Sequence, residues 1–218
     1  MAFDFTSPVK LDNVGGPGID AEPPQVARSG DKVLIVWHEF PDLNNLQPDV
    51  FVARGTNSNQ GLTFGQRINL SESGPTDSRD ERIAVTRSGN DLRIYVVWIE
   101  DATTLRFRRD RTNDGTYANA ITINDTVGNV APSNPQIAAD GNNVYVVWQA
   151  LGQNNTPDIY FARSKDSGDS FQDKKNISSN DGTSEAPQLA VLGNKQVVVT
   201  WRDDSLGNFE VVYVRGKE

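Results

Sequence analysis

Polar and apolar positions in this chain alternate in short runs and do not wind round a helical stripe. No segment keeps an apolar i, i+3, i+4, i+7 pattern for three turns, whereas β-branched runs bounded by Gly, Asn and Asp recur throughout. The runs are versions of one unit. Residues 134–148 read NPQIAADGNNVYVVW, and residues 24–37 (PQVARSGDKVLIVW), 81–98 (ERIAVTRSGNDLRIYVVW) and 187–201 (PQLAVLGNKQVVVTW) repeat its plan. In each, an aliphatic residue and an Ala precede a Gly-containing turn, and a β-branched run then ends on Trp. Trp37, Trp98, Trp148 and Trp201 are the four tryptophans of the chain, all at this one position.

The unit predicts strands that can be followed through all four copies. Strand A covers residues 24–28, with 82–86, 135–139 and 187–191 as counterparts, and strand B covers 33–37 and its copies. Strand C covers 49–54, 104–109, 158–163 and 210–215 and closes each time on Arg: Arg54, Arg109, Arg163 and Arg215. Strand D follows an aromatic residue, Phe64, Tyr117 or Phe171, and runs into INLS, INDT or KNIS. A period of about 50 residues accommodates four short strands and their turns, the size of a propeller blade. The fourth copy reaches Glu218 before any strand D, but residues 5–13 carry the aromatic, the spacer and the Leu-Asp-Asn of one. The expected fold is all-β: a β-propeller of four four-stranded blades, with residues 1–218 forming a single domain. The blades cover about 23–71, 81–126, 134–178 and 186–218 plus 3–13, so that the N-terminal strand joins the last blade and closes the ring. A swapped dimer, or one continuous eight-bladed ring from two chains, uses the same strands. The recurring Trp is expected to pack between blades, because a ligand site rarely needs four equivalent residues.

Residues 164–171, SKDSGDSF, fit the pattern S-x-D-x-G-x-x-F. Ser164 and Asp166 can hydrogen-bond backbone N–H groups of the turn between strands C and D, Gly168 accepts a positive φ, and Phe171 anchors the loop on the core. Residues 57–64 (NSNQGLTF) fit with Asn in place of both Ser and Asp, and residues 112–117 (TNDGTY) keep only the acid, glycine and aromatic. In phase with the strand-C arginines, these motifs resemble the Asp boxes of the bacterial-neuraminidase-repeat, or sialidase-like, β-propellers. The resemblance spans the chain through PQ[IVL]A, VxVxW, [DE]xxxxR and the Asp box. It implies radially arranged four-stranded blades, with the Asp boxes on the face opposite the functional one and Asp166 structural. The functional face would be built by the D–A and B–C loops.

A sialidase resembling this family needs six blades, three arginines on the substrate carboxylate, a Tyr–Glu nucleophile pair and an acidic proton donor. Four blades fall short, and the strand-C arginines belong to the opposite face. Tyr95 and Tyr145, three residues before Trp98 and Trp148, read as packing. On the functional face Asp20, Glu22, Asp80, Glu81 and Glu185 lead into strand A, and Glu39, Glu100, Asp101, Asp203 and Asp204 follow strand B. Only Arg79, Arg82 and Arg202 oppose them there, and that acidic excess disfavours an anionic ligand. His38, the one histidine, reads as incidental. The leading expectation is a non-catalytic binding or interaction module that recognises glycans or a surface partner, with no catalytic residue assigned. Its ligand-binding candidates are Glu22, Glu39, Arg82, Asp101, Gln149, Arg202 and Asp203. Loops 39–48 and 149–157, with Leu43, Leu46 and Leu151, are the best contact surfaces. One alternative is a glycoside hydrolase with carboxylates from different blades, since the neighbours Glu100–Asp101 and Asp203–Asp204 point to opposite faces of a strand. Another is an architectural module of a larger surface protein. Oxygen ligands at the strand-A entrances, Glu22 and Glu185 foremost, form a candidate Ca²⁺ site at the channel mouth.

Charge and composition narrow the field further. A net charge of −8 repels phosphate backbones, so nucleic acid is not an expected partner. The absence of Cys excludes disulfides, zinc–thiolate sites and thiol nucleophiles. No apolar run approaches the roughly 20 residues of a membrane helix, so no membrane insertion is expected. Residues 1–8 lack the basic and apolar regions of a signal peptide. The single Met and the many Asn, Asp, Gly and Ser residues point to an exported protein, extracellular or at the cell surface. Residues 14–19 are Gly-rich but lead into a strand, so they form no phosphate loop. Sequons occur at Asn69, Asn124, Asn154 and Asn176, and three of them follow the strand-D aromatic, which repeat structure explains better than glycosylation.

Overall fold

The computed structural model describes residues 7–9, 11, 21–40, 47–72, 74, 76–125 and 127–218, and contains strands but no helix among them. The β-branched runs form four antiparallel sheets in chain order. The first holds β1 (Gln25–Ser29), β2 (Lys32–Glu39), β3 (Asp49–Ser58), β4 (Gly61–Phe64) and β5 (Ile68–Asn69), with β4 and β5 both pairing β3. The second holds β6 (Ser78–Ser88), β7 (Asp91–Glu100), β8 (Thr104–Asp110) and β9 (Ile121–Thr122). The third holds β10 (Ser133–Asp140), β11 (Asn143–Leu151), β12 (Pro157–Ser164) and β13 (Gln172–Asn176), and the fourth β14 (Ser184–Gly193), β15 (Gln196–Asp203) and β16 (Glu210–Lys217).

Alternation along each strand sends successive side chains to opposite faces, and in the middle sheets both faces are apolar. Leu34, Val36, Val50 and Val52 of the first sheet pack on Leu92, Ile94, Val96 and Trp98 of the second. Tyr95, Val97, Leu105 and Phe107 on its other face pack on Val144, Val146 and Trp148 of the third. Val147 and Ile159 then meet Val199 and Trp201 of the fourth. The expected role of the tryptophans is met in these three interfaces, and Trp98 and Trp148 are fully buried. Trp37 faces away from the second sheet and stacks on Phe51, with ring centroids 6.2 Å apart. Tyr95 and Tyr145 are buried packing residues, as their spacing predicts.

Three of the strand-C arginines tie their sheet to the next. Arg54 bonds Asn113 and lies 3.5 Å from Asp110, Arg109 bonds the Gly168 carbonyl and Asp169, and Arg163 donates to Glu218 at 3.1 Å. The turns they reach are built by their own side chains. Ser164 Oγ accepts from the Gly168 N–H at 2.7 Å, and Asp166 accepts from the Ser170 N–H at 3.0 Å and its hydroxyl at 2.6 Å. Gly168 has φ +82°, and a Cβ there would lie 2.5 Å from Phe107, so only glycine lets the turn dock on the second sheet. Phe171 packs edge-on against Phe107, 4.9 Å between centroids. In the second sheet Asp110 does the work of Ser164, accepting from the N–H groups of Thr112, Asn113 and Gly115 at 2.8–3.0 Å. The sequons also have a structural cause. Asn69 and Ser71 both donate to Asp49, and Asn176 and Ser178 both donate to Asp158, so Asn-x-Ser is a clamp on the residue that opens strand C.

The strand-A entrances differ from expectation. Three strands begin earlier, at Ser78, Ser133 and Ser184, because a bulge lies within each, between Arg79 and Arg82, Ser133 and Gln136, and Glu185 and Gln188. Asp80, Asn134 and Ala186 inside these bulges hold φ of +58°, +48° and +54°. The expected N-terminal strand over 3–13 lies largely outside the described residues, as do Asp20, Leu43 and Leu46. Its described members Val9 and Leu11 line a cleft with Pro23, Pro24, Ile35 and Trp37 of the first sheet. Replacing Trp148 by Ala should cost about 3–5 kcal/mol, measured by chemical denaturation, because the indole fills the interface between two sheets.

Candidate functional site

The strand-A entrances and the loops that follow strand B lie at one end of the sheets, away from the Ser164–Phe171 turn. The acids there divide into buried and exposed groups. Glu39 is fully buried, accepts the Trp37 indole N–H at 2.7 Å and pairs with Arg67, whose guanidinium also lies 4.2 Å from the Phe51 ring centroid. Asp203 holds the equivalent place in the fourth sheet, with the Trp201 indole at 3.0 Å, Ser184 at 2.6 Å and Asn180 at 2.8 Å. Burial alone would raise its pKa, but the donors from Ser184, Ser205, Trp201 and Asn180 outweigh that and hold it well below the usual carboxylate range. Both carboxylates are thus committed to their tryptophans.

Among the other candidates, Glu22 is exposed, with its backbone N–H on the His38 carbonyl at 3.1 Å. Arg82 is half-buried and donates to the Glu81 carbonyl at 2.8 Å. Asp101 sits in an exposed turn at φ +53°. Gln149 bridges the third and fourth sheets, accepting from Asn134 at 3.2 Å and the Ala186 N–H at 3.1 Å. Arg202 pairs with Glu185 and lies 4.5 Å from the Phe209 ring centroid. Among the described residues no group of three or more His, Asp or Glu is arranged to hold a metal ion.

One side chain departs from the repeat. Where the other copies have Pro24, Pro135 and Pro187, the second has Glu81, which is buried and accepts from His38 Nδ1 at 2.7 Å. That pair joins the first and second sheets at this end of the molecule.

The same end carries a groove of about 620 Å³, walled by three loops. Val127, Gly128 and Asn129 come from the segment before β10, Leu151 from the end of β11 with Gly152, Gln153 and Asn154 from the connection after it, and Ser179, Asn180 and Asp181 from the segment before β14. Asp158, Tyr160 and Asn176 form its floor. The Leu151 N–H donates to the Val130 carbonyl at 2.9 Å and Asn154 to Asp181 at 3.0 Å, so the walls are tied to one another. Gly128 accepts the Trp148 indole N–H at 2.9 Å; its φ is +60°, and a Cβ would meet that nitrogen at 2.5 Å. Glycine therefore lets this loop close over Trp148 and Tyr160, whose rings stack 5.8 Å apart. Burial, reinforced by the Asp158 carboxylate, pushes the Tyr160 phenol up. Leu151 stood out in the sequence, but Asn129, Asn180 and Tyr160 did not, because nothing in one chain's composition shows which loops converge.

No family model and no curated protein sequence matches the chain. Solved structures do. A protein of unknown function from Dyadobacter fermentans superposes with a TM-score of 0.62 at 12% identity, over 92% of this chain and 66% of that one. The Trypanosoma rangeli sialidase superposes with a TM-score of 0.56 at 11% identity, over 89% of this chain and 36% of that one. An exo-1,5-α-L-arabinanase from a bovine ruminal metagenomic library gives 0.51 at 10% identity, over 89% and 74%. Likeness at such low identity establishes the fold, an all-β propeller, and the chain spans well under two thirds of the sialidase.

Two hydrogen-bonded acids make a pH prediction. Asp166 is held at about 2, its hydrogen bonds from Ser170 and Ser164 overcoming the opposing effect of burial, and Asp203 is also depressed. A depressed carboxylate contributes its full stability above the unfolded value of about 4 and loses it as pH falls towards the folded value. Melting temperatures should therefore fall steeply between about pH 4 and about pH 2, and Asp203→Asn should flatten that limb.

Proposed function

We propose that this chain is a sialidase-like, Asp-box propeller that acts outside the cell as a glycan-binding module, with its ligand in the groove at Asn129, Gln153, Asn154, Tyr160 and Asn180. The lining of that groove carries the reading. Side-chain amides both donate and accept, which suits sugar hydroxyls, and they surround an aromatic ring in one concave surface. Asp158 and Asp181 are the charged residues of the lining and no Lys or Arg joins them, so the ligand class is a neutral oligosaccharide and not a sialylated one. The names of the sialidase and the arabinanase, both glycan-directed, support the same class.

A second reading, a glycoside hydrolase, is favoured by those names and by the presence of two carboxylates in one groove. Binding is preferred because Asp158 already accepts from Asn176 at 2.7 Å and Ser178 at 2.7 Å, which leaves it tied as a structural acceptor. Calorimetric titration with neutral arabino- and galacto-oligosaccharides and with sialyllactose tests both. Binding of a neutral member is expected, weakened about tenfold or more by Gln153→Ala without a change in melting temperature. Release of reducing sugar that disappears in Asp181→Asn would establish the hydrolase instead. No binding to any neutral glycan would contradict both readings.

A further inference from the structure

Each internal interface joins a front face of one sheet to a tryptophan-bearing back face of the next. The fourth sheet has a front face of the same design, and among the described residues it is left exposed. Val211 stands where Val50, Leu105 and Ile159 are fully buried, and Tyr213 stands where Val52 and Phe107 are buried, yet Val211 and Tyr213 are 83% and 74% exposed. The first sheet has the matching back face. Val26 stands where Ile83, Ile137 and Leu189 join inter-sheet cores, and it is 69% exposed. Apart from Val130, every exposed large hydrophobic among the described residues lies in the N-terminal segment or on these two sheets and their turns.

The polar pattern agrees with the apolar one. Arg54, Arg109 and Arg163 each reach forward to the next sheet or its turn, whereas Arg215 folds back on Gln196 of its own sheet at 3.0 Å. The turn an Arg215 would meet on a first-type sheet is 57–64, with Gly61 in the place of the Gly168 that Arg109 engages. Leu11, beside Trp37, already holds the position that Leu70 and Ile123 hold against Trp98 and Trp148. What fits each bare face is therefore the other bare face. Within one chain the two are apart.

We infer that a second copy of this chain docks head to tail, the Val211–Tyr213 face of each copy covering the Val26–Trp37 face of the other. Each junction pairs two different faces and the closed pair contains two such junctions, so the two halves of a junction can be broken separately. Light scattering on the size-excluded chain should give a mass near twice 23.9 kDa. Tyr213→Glu and Val26→Glu should each run at the single-chain mass, with unchanged far-UV circular dichroism because both sites are exposed. Mixing the two variants should restore a two-chain species through the one intact junction. A single-chain mass for the unaltered protein overturns the inference. A lower melting temperature for Tyr213→Glu in that case would show that the two faces close on each other within one chain. Failure of the mixture to reassociate would also overturn it.

Discussion

The structure depends on the contact between the back of one sheet and the front of the one before it. Each sheet is a short antiparallel ribbon with too little apolar area to stand alone, and both of its faces need a neighbour. Trp98, Trp148 and Trp201 supply the bulk on the back face, and the residues three before Trp37 and Trp98, Leu34 and Tyr95, belong to the front. One residue type every 50 or so positions thus fixes the order and spacing of the sheets. The strand-C arginines and the turns they grip add direction to a contact that dispersion alone would leave loosely oriented.

The candidate site lies where the repeat lapses. At the end of the sheets opposite the Ser164–Phe171 turn, strand A is bulged, and Asp80, Asn134 and Ala186 hold backbone conformations that only a surrounding scaffold maintains. The same end carries the one Glu that replaces a repeat proline, paired with the one His, and a groove whose lining comes from three separate connections. The buried acids Glu39 and Asp203 serve the scaffold by holding the indole N–H groups of Trp37 and Trp201. The groove between the loops is lined instead by Asn129, Gln153, Asn154 and Asn180, with Asp158 and Asp181 as its charged members.

Much of this was legible in the sequence because side-chain periodicity records which face is buried. The strands, their order, the tryptophan interfaces and the hydrogen bonds of the Ser164 turn all follow from spacing and residue type. The bulges were not legible, because Asp80, Asn134 and Ala186 share no side-chain property that marks a positive φ. Asp110 escaped notice since an Asp can replace a Ser as acceptor for the same backbone N–H groups. Glu39 and Asp203 read as ligand-binding acids, since a carboxylate two residues past Trp looks alike in sequence whether it meets a ligand or an indole. The groove depends on loops far apart in the chain, and only the fold brings Asn129, Gln153 and Asn180 together.

Tryptophan emission tests the central claim most directly, because all four indoles occupy the one repeat position and all are buried. The account predicts blue-shifted native emission, weakly quenched by acrylamide as a single population, that is lost in one transition with denaturant. A red-shifted, readily quenched fraction in the native protein would contradict it.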